Sequence, residues 1–256
     1  MTANRLDISD RTLATAVGEA VPCLGHGVEI LQLEPQQGNG FSSDTWFCTV
    51  RSPVGRVADL VLKLAPEGDA VFPTYDLAQE CRILQALRCE RFPVPKAWAY
   101  TPRPGESFQR HLLVMERVDG VSAKDVPVYT STGWLLDLEP AAQRHTYVTT
   151  LELLATLHRI DWRRHDLGGL RRLGGPEGDG GSEFAYYRRY AEWVTPPGDL
   201  DVLARAERWL RERLPAAGEQ VLNWGDAKLS NVLFDEAREP VSILDWEMAY
   251  LGPPEA

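Results

Sequence analysis

Apolar positions along this chain change period several times, and each change marks an element. Leu6 to Ala20 repeats apolar side chains at helical spacing, with Ser9 or Asp10 placed to cap the first turn. From Val28 to Leu33 the period drops to two, which predicts a strand, and Trp46 to Val50 predicts another. Between them Gln36 to Thr45 is a glycine- and serine-rich turn. Asp59 to Ala65 is an apolar run holding one lysine, Lys63, and Tyr75 to Cys89 returns to the helical period with Glu80, Ile83, Leu84 and Leu87 on one face. Phe92 to Trp98, punctuated by prolines, leads into a strand; Thr101 to Gln109 is a polar hairpin tip, and His111 to Gly120 is a further apolar strand. After an irregular stretch with Trp134 and Leu135 as core contacts, Ala141 to Ile160 predicts a long helix whose inner face is Val148, Leu151, Leu154, Ala155 and His158. Arg163 to Ser182 is a loop, and Glu183 to Trp193 and Leu200 to Leu214 are helices. Val232 to Phe234 and Val241 to Leu244 are short strands about a polar turn that ends at Pro240.

A few polar residues break this pattern. A lysine inside an apolar run fits an edge strand or a snorkelling side chain, but here a partner is at hand. Glu80 points where apolar residues point, and a buried carboxylate needs a cation. Lys63 precedes it across one loop, so the two are expected to pair. If the last two strands form a hairpin, Asn231 at its start and Asp245 at its end are neighbours, and Asp226 lies in the loop that feeds it. Hard oxygen ligands with open positions suit Mg²⁺, whereas the bland alternative is a surface hairpin with polar caps. His158 is expected to be a core histidine without chemistry. Tyr186, Tyr187, Tyr190 and Trp193 are either helix packing or a wall of a substrate pocket.

Composition narrows the class. The 256 residues are 44% hydrophobic, enough for a sizeable core in one domain or two small ones, and the net charge is −10. Such a balance argues against nucleic acid or an anionic membrane as main partner and is compatible with a cationic small molecule. Cys23, Cys48, Cys81 and Cys89 are scattered and have no zinc-site spacing, which suggests reduced thiols in the cytoplasm. Met1 to Asp10 has no apolar core of signal-peptide type, and no run approaches a membrane span.

Asp226 with Asn231 and Asp245, the Leu244-Asp-Trp-Glu247 run, and Lys63 with Glu80 together resemble the active-site core of the aminoglycoside phosphotransferase and choline kinase family. The resemblance covers about Val28 to Pro254, and Gly168 to Pro176 resembles an insertion of the bacterial branch related to the kinase-like domain fused to acyl-CoA dehydrogenases. It implies an α+β, protein-kinase-like two-lobe fold: a small antiparallel β lobe with one helix, residues 1–118, and a mostly helical lobe, residues 119–256. It also implies phosphoryl transfer from ATP, with Mg²⁺, to a hydroxyl of a small molecule. In that scheme Gly40 and Ser42 belong to a short phosphate loop, Lys63 positions the α/β-phosphates, and Glu80 orients Lys63. Met115 sits beside the adenine and the backbone near Arg117 and Val118 bonds its edge. Asn231 and Asp245 hold Mg²⁺, and Asp226 orients the attacking hydroxyl. Lys228 either neutralises charge on the transferring group or is a solvated loop lysine.

Two departures from the family pattern bear on activity. Trp224 stands where the family has histidine before Gly-Asp, and an indole offers one N–H and no acceptor, so a loosened catalytic loop is expected. Nine residues follow Glu247 where the family continues into further helices, so the second lobe is expected to be incomplete. The alternative function is therefore a kinase-shaped module that binds nucleotide or a partner without turnover. Aminoglycoside, macrolide, choline-like amine, amino alcohol and hydroxyacyl thioester all remain as acceptors.

Overall fold

Alternation in one strand decides how the first half of the chain packs. In β3 (Val57–Leu64) the side chains of Leu60, Leu62 and Leu64 point to one face of a sheet, and Val61 and Lys63 to the other. The computed structural model describes residues 10–36, 43–66, 71–170, 183–195, 201–213 and 219–254. Within them β1 (Glu29–Pro35), β2 (Asp44–Arg51), β3, β4 (Ala97–Tyr100) and β5 (Leu112–Glu116) form an antiparallel sheet of order β1-β2-β3-β5-β4. Lys63 therefore lies in the middle strand and not on an edge.

Each face of the sheet has its own helix. Leu13, Ala16 and Val17 of α1 (Asp10–Ala20) pack with Trp46, Cys48, Val50, Leu62 and Val114 on the first face. On the second, Ile83, Leu84 and Leu87 of α2 (Leu77–Cys89) pack with Ala97 and Leu113. The Asp76 carboxylate caps α2 by accepting the Gln79 N–H at 2.8 Å. This second face continues without a break into the core of the following half, through Leu157, Leu222, Phe234 and Trp246. The expected first helix is described from Asp10 onward, so Leu6 and the Ser9 cap lie outside the described residues.

In the second half the sequence pattern misplaced one surface. The helix α3 (Pro140–His158) buries Thr146 and Leu157, whereas Val148 and Leu151 of the expected inner face are 37% and 60% exposed. Threonine explains the error. The hydroxyls of Thr146, Thr149 and Thr150 bond back to carbonyls one turn earlier, so they present methyl groups rather than unsatisfied oxygens. The helix thus turns a threonine-bearing face inward, with Leu153 and Leu154 partly buried beside it.

Beyond α3 come two 3₁₀ turns, Trp162–His165 and Leu167–Gly169, then α4 (Glu183–Val194) and α5 (Asp201–Arg211). Tyr186 and Tyr190 of α4 pack with Phe72, Tyr75 and Met248, while Tyr187 and Trp193 are exposed. A three-residue ladder of β6 (Val221–Asn223) with β9 (Tyr250–Gly252) encloses residues 224–249 and was not expected from the sequence. Inside it lies the expected hairpin, β7 (Val232–Phe234) with β8 (Pro240–Ile243), paired Val232 to Ile243. Two backbone contacts tie this hairpin to the segments flanking β4 and β5: Ile243 N–H donates to Pro93 O at 2.7 Å, and Val121 bridges Phe234.

Candidate active site

The lysine of β3 and the glutamate of α2 meet. Lys63 Nζ lies 3.1 Å from Glu80, 3.3 Å from Asp245 Oδ1 and 2.9 Å from Glu247 Oε2. Lys63, Glu80 and Glu247 are buried to within 8% of full burial, and Asp245 is about one-third exposed. Burial works against the Lys63 charge, but Glu80, Asp245 and Glu247 more than offset it and hold the ammonium well above its usual range. Burial, opposed by Lys63 and reinforced by Asp245 and Glu247, pushes the Glu80 carboxyl up to about 7. Glu247 is a site residue that sequence reasoning passed over. It stands two residues after Asp245 in the Leu244-Asp-Trp-Glu247 run, but only the left-handed turn at Asp245 brings both carboxylates to Lys63.

Asp245 sits at φ 60°, a left-handed conformation that a non-glycine residue adopts at a cost of about 1–2 kcal/mol. That turn, just after β8, aims its carboxylate back at the sheet. Strain of this kind gathers at functional sites.

The loop before β7 is equally constrained. Gly225 has φ 93°, and a Cβ there would lie 2.1 Å from Met248 O, so only glycine fits between Trp224 and Asp226. Asn231 Nδ2 donates to Asp226 O at 3.1 Å and to Asp226 Oδ2 at 3.0 Å, leaving its amide oxygen for another partner. Leu244 N–H donates to Asn231 O at 2.8 Å, which holds Asn231 beside the turn that carries Asp245. Lys228 is half-buried between Asp226 at 3.1 Å and Asp125 at 3.0 Å. Asp125, from the irregular stretch after β5, is a second residue that the sequence did not single out.

Trp224 is 3% exposed, and its Nε1–H is shared between Leu244 O at 2.8 Å and Asp245 O at 3.1 Å. One donor reaches both carbonyls around the metal-type aspartate. The loosened loop expected from the missing histidine therefore loses its basis. The ring also packs on Trp246, centroid to centroid 6.0 Å.

At the other end of β5, Met115 is partly buried against the shared core. Arg117 N–H is already taken by Asp59 O at 3.1 Å, and its guanidinium lies 4.5 Å over the Phe47 ring, so that N–H is not open to a ligand. Val118 follows at the exit of the strand. Gly40 and Ser42 lie outside the described residues.

The residues fit a nucleotide with a divalent cation. Glu80, Asp245 and Glu247 crowd one ammonium, three carboxylates to a single lysine. That excess of negative charge is what a cation balances. Among the described residues no three Asp, Glu, His or Cys side chains converge to enclose a metal. Mg²⁺ needs no such cage: it is usually held by one or two protein oxygens plus phosphate and water. Asp245 and the Asn231 amide oxygen are the donors of that type here.

Comparison with known proteins agrees with this geometry. Residues 36–256 match the phosphotransferase enzyme family. The chain belongs to that family. It is 26% identical over 246 residues to acyl-CoA dehydrogenase family member 11 of Rattus norvegicus, covering 95% of this chain and 29% of that protein. It is 27% identical over 236 residues to acyl-CoA dehydrogenase family member 10 of Mus musculus, covering 89% of this chain and 19% of that protein. The chain thus spans less than a third of the curated relatives it matches. Among solved structures, macrolide 2'-phosphotransferase type I superposes with a TM-score of 0.57 at 19% identity, covering 99% of this chain and 76% of that one. The GDP complex of aminoglycoside 2'-phosphotransferase-IIIa superposes with a TM-score of 0.52 at 12% identity, covering 89% and 70%. The fold is α+β and kinase-like, as the sequence pattern implied.

Proposed function

We propose that this phosphotransferase moves the γ-phosphoryl group of ATP to a hydroxyl of a small molecule. The observation that carries the proposal is the placement of Lys63 between Glu80 of α2 and the Asp245–Glu247 turn, within 3.3 Å of all three carboxylates. A buried lysine held charged by carboxylates from two elements is a fixed cation for phosphate oxygens, and Glu80 and Glu247 orient it. The lobes meet after Val118, with residues 1–118 covering the nucleotide and 119–256 carrying the chemistry. Met115 lines the adenine pocket, and the main chain of residues 117–118 offers the Arg117 carbonyl and the Val118 amide to the base. Gly40 and Ser42, outside the described residues, are the phosphate-loop residues that the resemblance supplies.

Asp245 and the Asn231 amide oxygen would hold Mg²⁺, which when bound supplies charge neutralisation at the phosphate oxygens. Asp226 accepts a hydrogen bond from the attacking hydroxyl and takes its proton as the new O–P bond forms and the bond from the γ-phosphorus to the β–γ bridging oxygen breaks, which releases ADP. Asn231 fixes Asp226 for that task through the bond at 3.0 Å. Lys228, paired with Asp226 and Asp125, stands where it can swing to the transferring group. Phosphoryl transfer is mostly positioning and electrostatics, and these contacts supply both. The compartment consistent with this donor and with four unpaired cysteines is the cytoplasm.

The test is Mg²⁺-dependent ATP consumption across aminoglycoside, macrolide, amino alcohol and hydroxyacyl thioester acceptors, with GTP as an alternative donor because a structural relative holds GDP. The expected result is acceptor-stimulated turnover that Asp226→Asn removes. Tight ATP–Mg²⁺ binding without transfer to any acceptor class would replace the enzyme with a nucleotide-binding module.

A further inference from the structure

At the end of α2 the chain makes a turn that glycine normally occupies. Arg91 N–H donates to Arg88 O at 3.1 Å and Phe92 N–H to Leu87 O at 3.0 Å, the paired bonds of a Schellman cap. The residue in the left-handed position of that cap is Arg91, at φ 58°. Glycine adopts this conformation freely, whereas a side chain is disfavoured. No hydrogen bond or ion pair of the Arg91 side chain is found among the described residues, so no such contact there explains an arginine in place of glycine.

Arg91 lines a cavity of about 420 Å³, on the side of the molecule formed by α2 and the end of α3, and separate from the Lys63 cleft. Its apolar wall is Phe92, Leu153 and Ile160, and its cations are Arg91, Arg159 and Arg164. Two carboxylates also line it, but both are engaged. Asp161 lies 3.5 Å from Arg164 Nε and 3.7 Å from Arg163 Nη1, and Glu90 lies 2.6 Å from His165 Nε2. Among the described residues the Arg159 side chain bonds only the neutral Thr156 hydroxyl, at 2.9 Å. Two guanidinium groups, Arg91 and Arg159, are thus left for an occupant. The size falls within the roughly 300–1,000 Å³ of small-molecule sites.

We propose that this cavity binds a small organic anion, a carboxylate or phosphate monoester on an apolar body. The anionic group meets Arg91 and Arg159, and the body lies on Phe92, Leu153 and Ile160. The cavity wall is joined to the β7–β8 hairpin by one bond, because Pro93, next in that wall, accepts the Ile243 N–H of β8. The proposal does not depend on the reaction performed at Lys63.

Phenyl phosphate is the probe and benzyl alcohol its neutral counterpart, each titrated into the ¹⁵N-labelled chain and into Arg91→Gly. The expected result is saturable phenyl phosphate binding, at about 1 mM or tighter for a ligand of this size. Amide shifts should centre on residues 90–93 and 156–161, with weaker binding of benzyl alcohol. Arg91→Gly should weaken phenyl phosphate about tenfold, as loss of one charge-assisted hydrogen bond does. Its thermal midpoint should be equal to or above that of the parent, since glycine suits the cap. Four results overturn the proposal: no saturable binding, shifts centred on Lys63 and Asp245, equal affinity in Arg91→Gly, or a lowered midpoint in that variant. The last would show that Arg91 is kept for stability.

Discussion

Replacing Lys63 by methionine keeps the side-chain volume and removes the charge. Glu80 then has no cation within the core, and two outcomes compete. If it stays ionised, breaking a buried pair costs about 3–5 kcal/mol. If it takes a proton, the cost is set by the gap between the pH and its unfolded value of 4.5, at about 1.4 kcal/mol per pH unit. At pH 7 that is about 3 kcal/mol, and at pH 5 less than about 1 kcal/mol. Glu80 is already raised to about 7 with Lys63 in place, so without it the protonated route is open at neutral pH. The sign follows from linkage. An acid whose folded pKa lies above its unfolded one binds more protons when folded, so the variant regains stability as pH falls toward 4.5. The Lys63 ammonium is held above its usual range and stays charged, but Glu80 of the parent, raised to about 7, also takes up its proton below pH 7, so parent and variant regain stability together there and part only above it. Urea denaturation of both forms at pH 5, 6, 7 and 8 measures the gap directly. The gap is expected to stay level between pH 5 and 6 and to widen by about 1 kcal/mol between pH 7 and 8, where Glu80 ionises beside Lys63 in the parent but not in the variant; a gap that does not widen above pH 7 would refute the view that Lys63 compensates a buried carboxylate.

The remaining predictions concern the catalytic turn. Asp245→Asn is expected to abolish Mg²⁺-dependent nucleotide binding, whereas Asp226→Asn should leave binding and lower transfer by about 10²–10⁴; calorimetry beside turnover separates the two, and equal loss of affinity in both would show the roles misassigned. Trp224→Phe leaves the Leu244 and Asp245 carbonyls without their shared donor and should cost about 1–3 kcal/mol, read by denaturation. Trp224→His should not raise kcat, because the indole already spans both carbonyls; a clear rise would restore the loosened-loop idea. Gly225→Ala should destabilise by more than about 2 kcal/mol, from strain at a special backbone angle and collision with Met248 O, and a normal thermal midpoint in that variant would contradict the turn geometry.

Much of this site was legible because the sequence breaks its own pattern there. A lysine in an apolar strand and a glutamate on an apolar helix face are costly apart, so their pairing could be argued before any coordinates. The hairpin was legible from two short apolar runs about a polar turn, with β8 beginning one residue earlier than the pattern suggested. What stayed hidden depends on long-range contact. The β6–β9 ladder is three residues long on each side, too short to show a period, and its strands lie on either side of the hairpin. The inward face of α3 was misread because threonine counts as polar in a sequence, yet hides its hydroxyl against its own helix. Asp125 gave no signal, since a single aspartate in an irregular stretch is ordinary until Lys228 is seen beside it. Trp224 was read from its donor count alone, and only the folded turn shows two carbonyls sharing one N–H.

The two backbone contacts of the β7–β8 hairpin carry a kinematic consequence. Pro93 lies just before β4 and Val121 just after the exit of β5, so the hairpin is fastened at both ends of the β4–β5 pair, along one edge of the sheet. Any rotation of the sheet against the hairpin that keeps both bonds must pivot near that edge. Points near a pivot scarcely move, and points far from it sweep the largest arc. Asn231 and Asp245, at the two ends of the hairpin, stay close to still during such a rotation. The outer strands β1 and β2, at the opposite edge of the sheet from β4, travel furthest. A rotation of this kind, whatever its amplitude at the β1–β2 edge, preserves the spacing between Asn231 and Asp245.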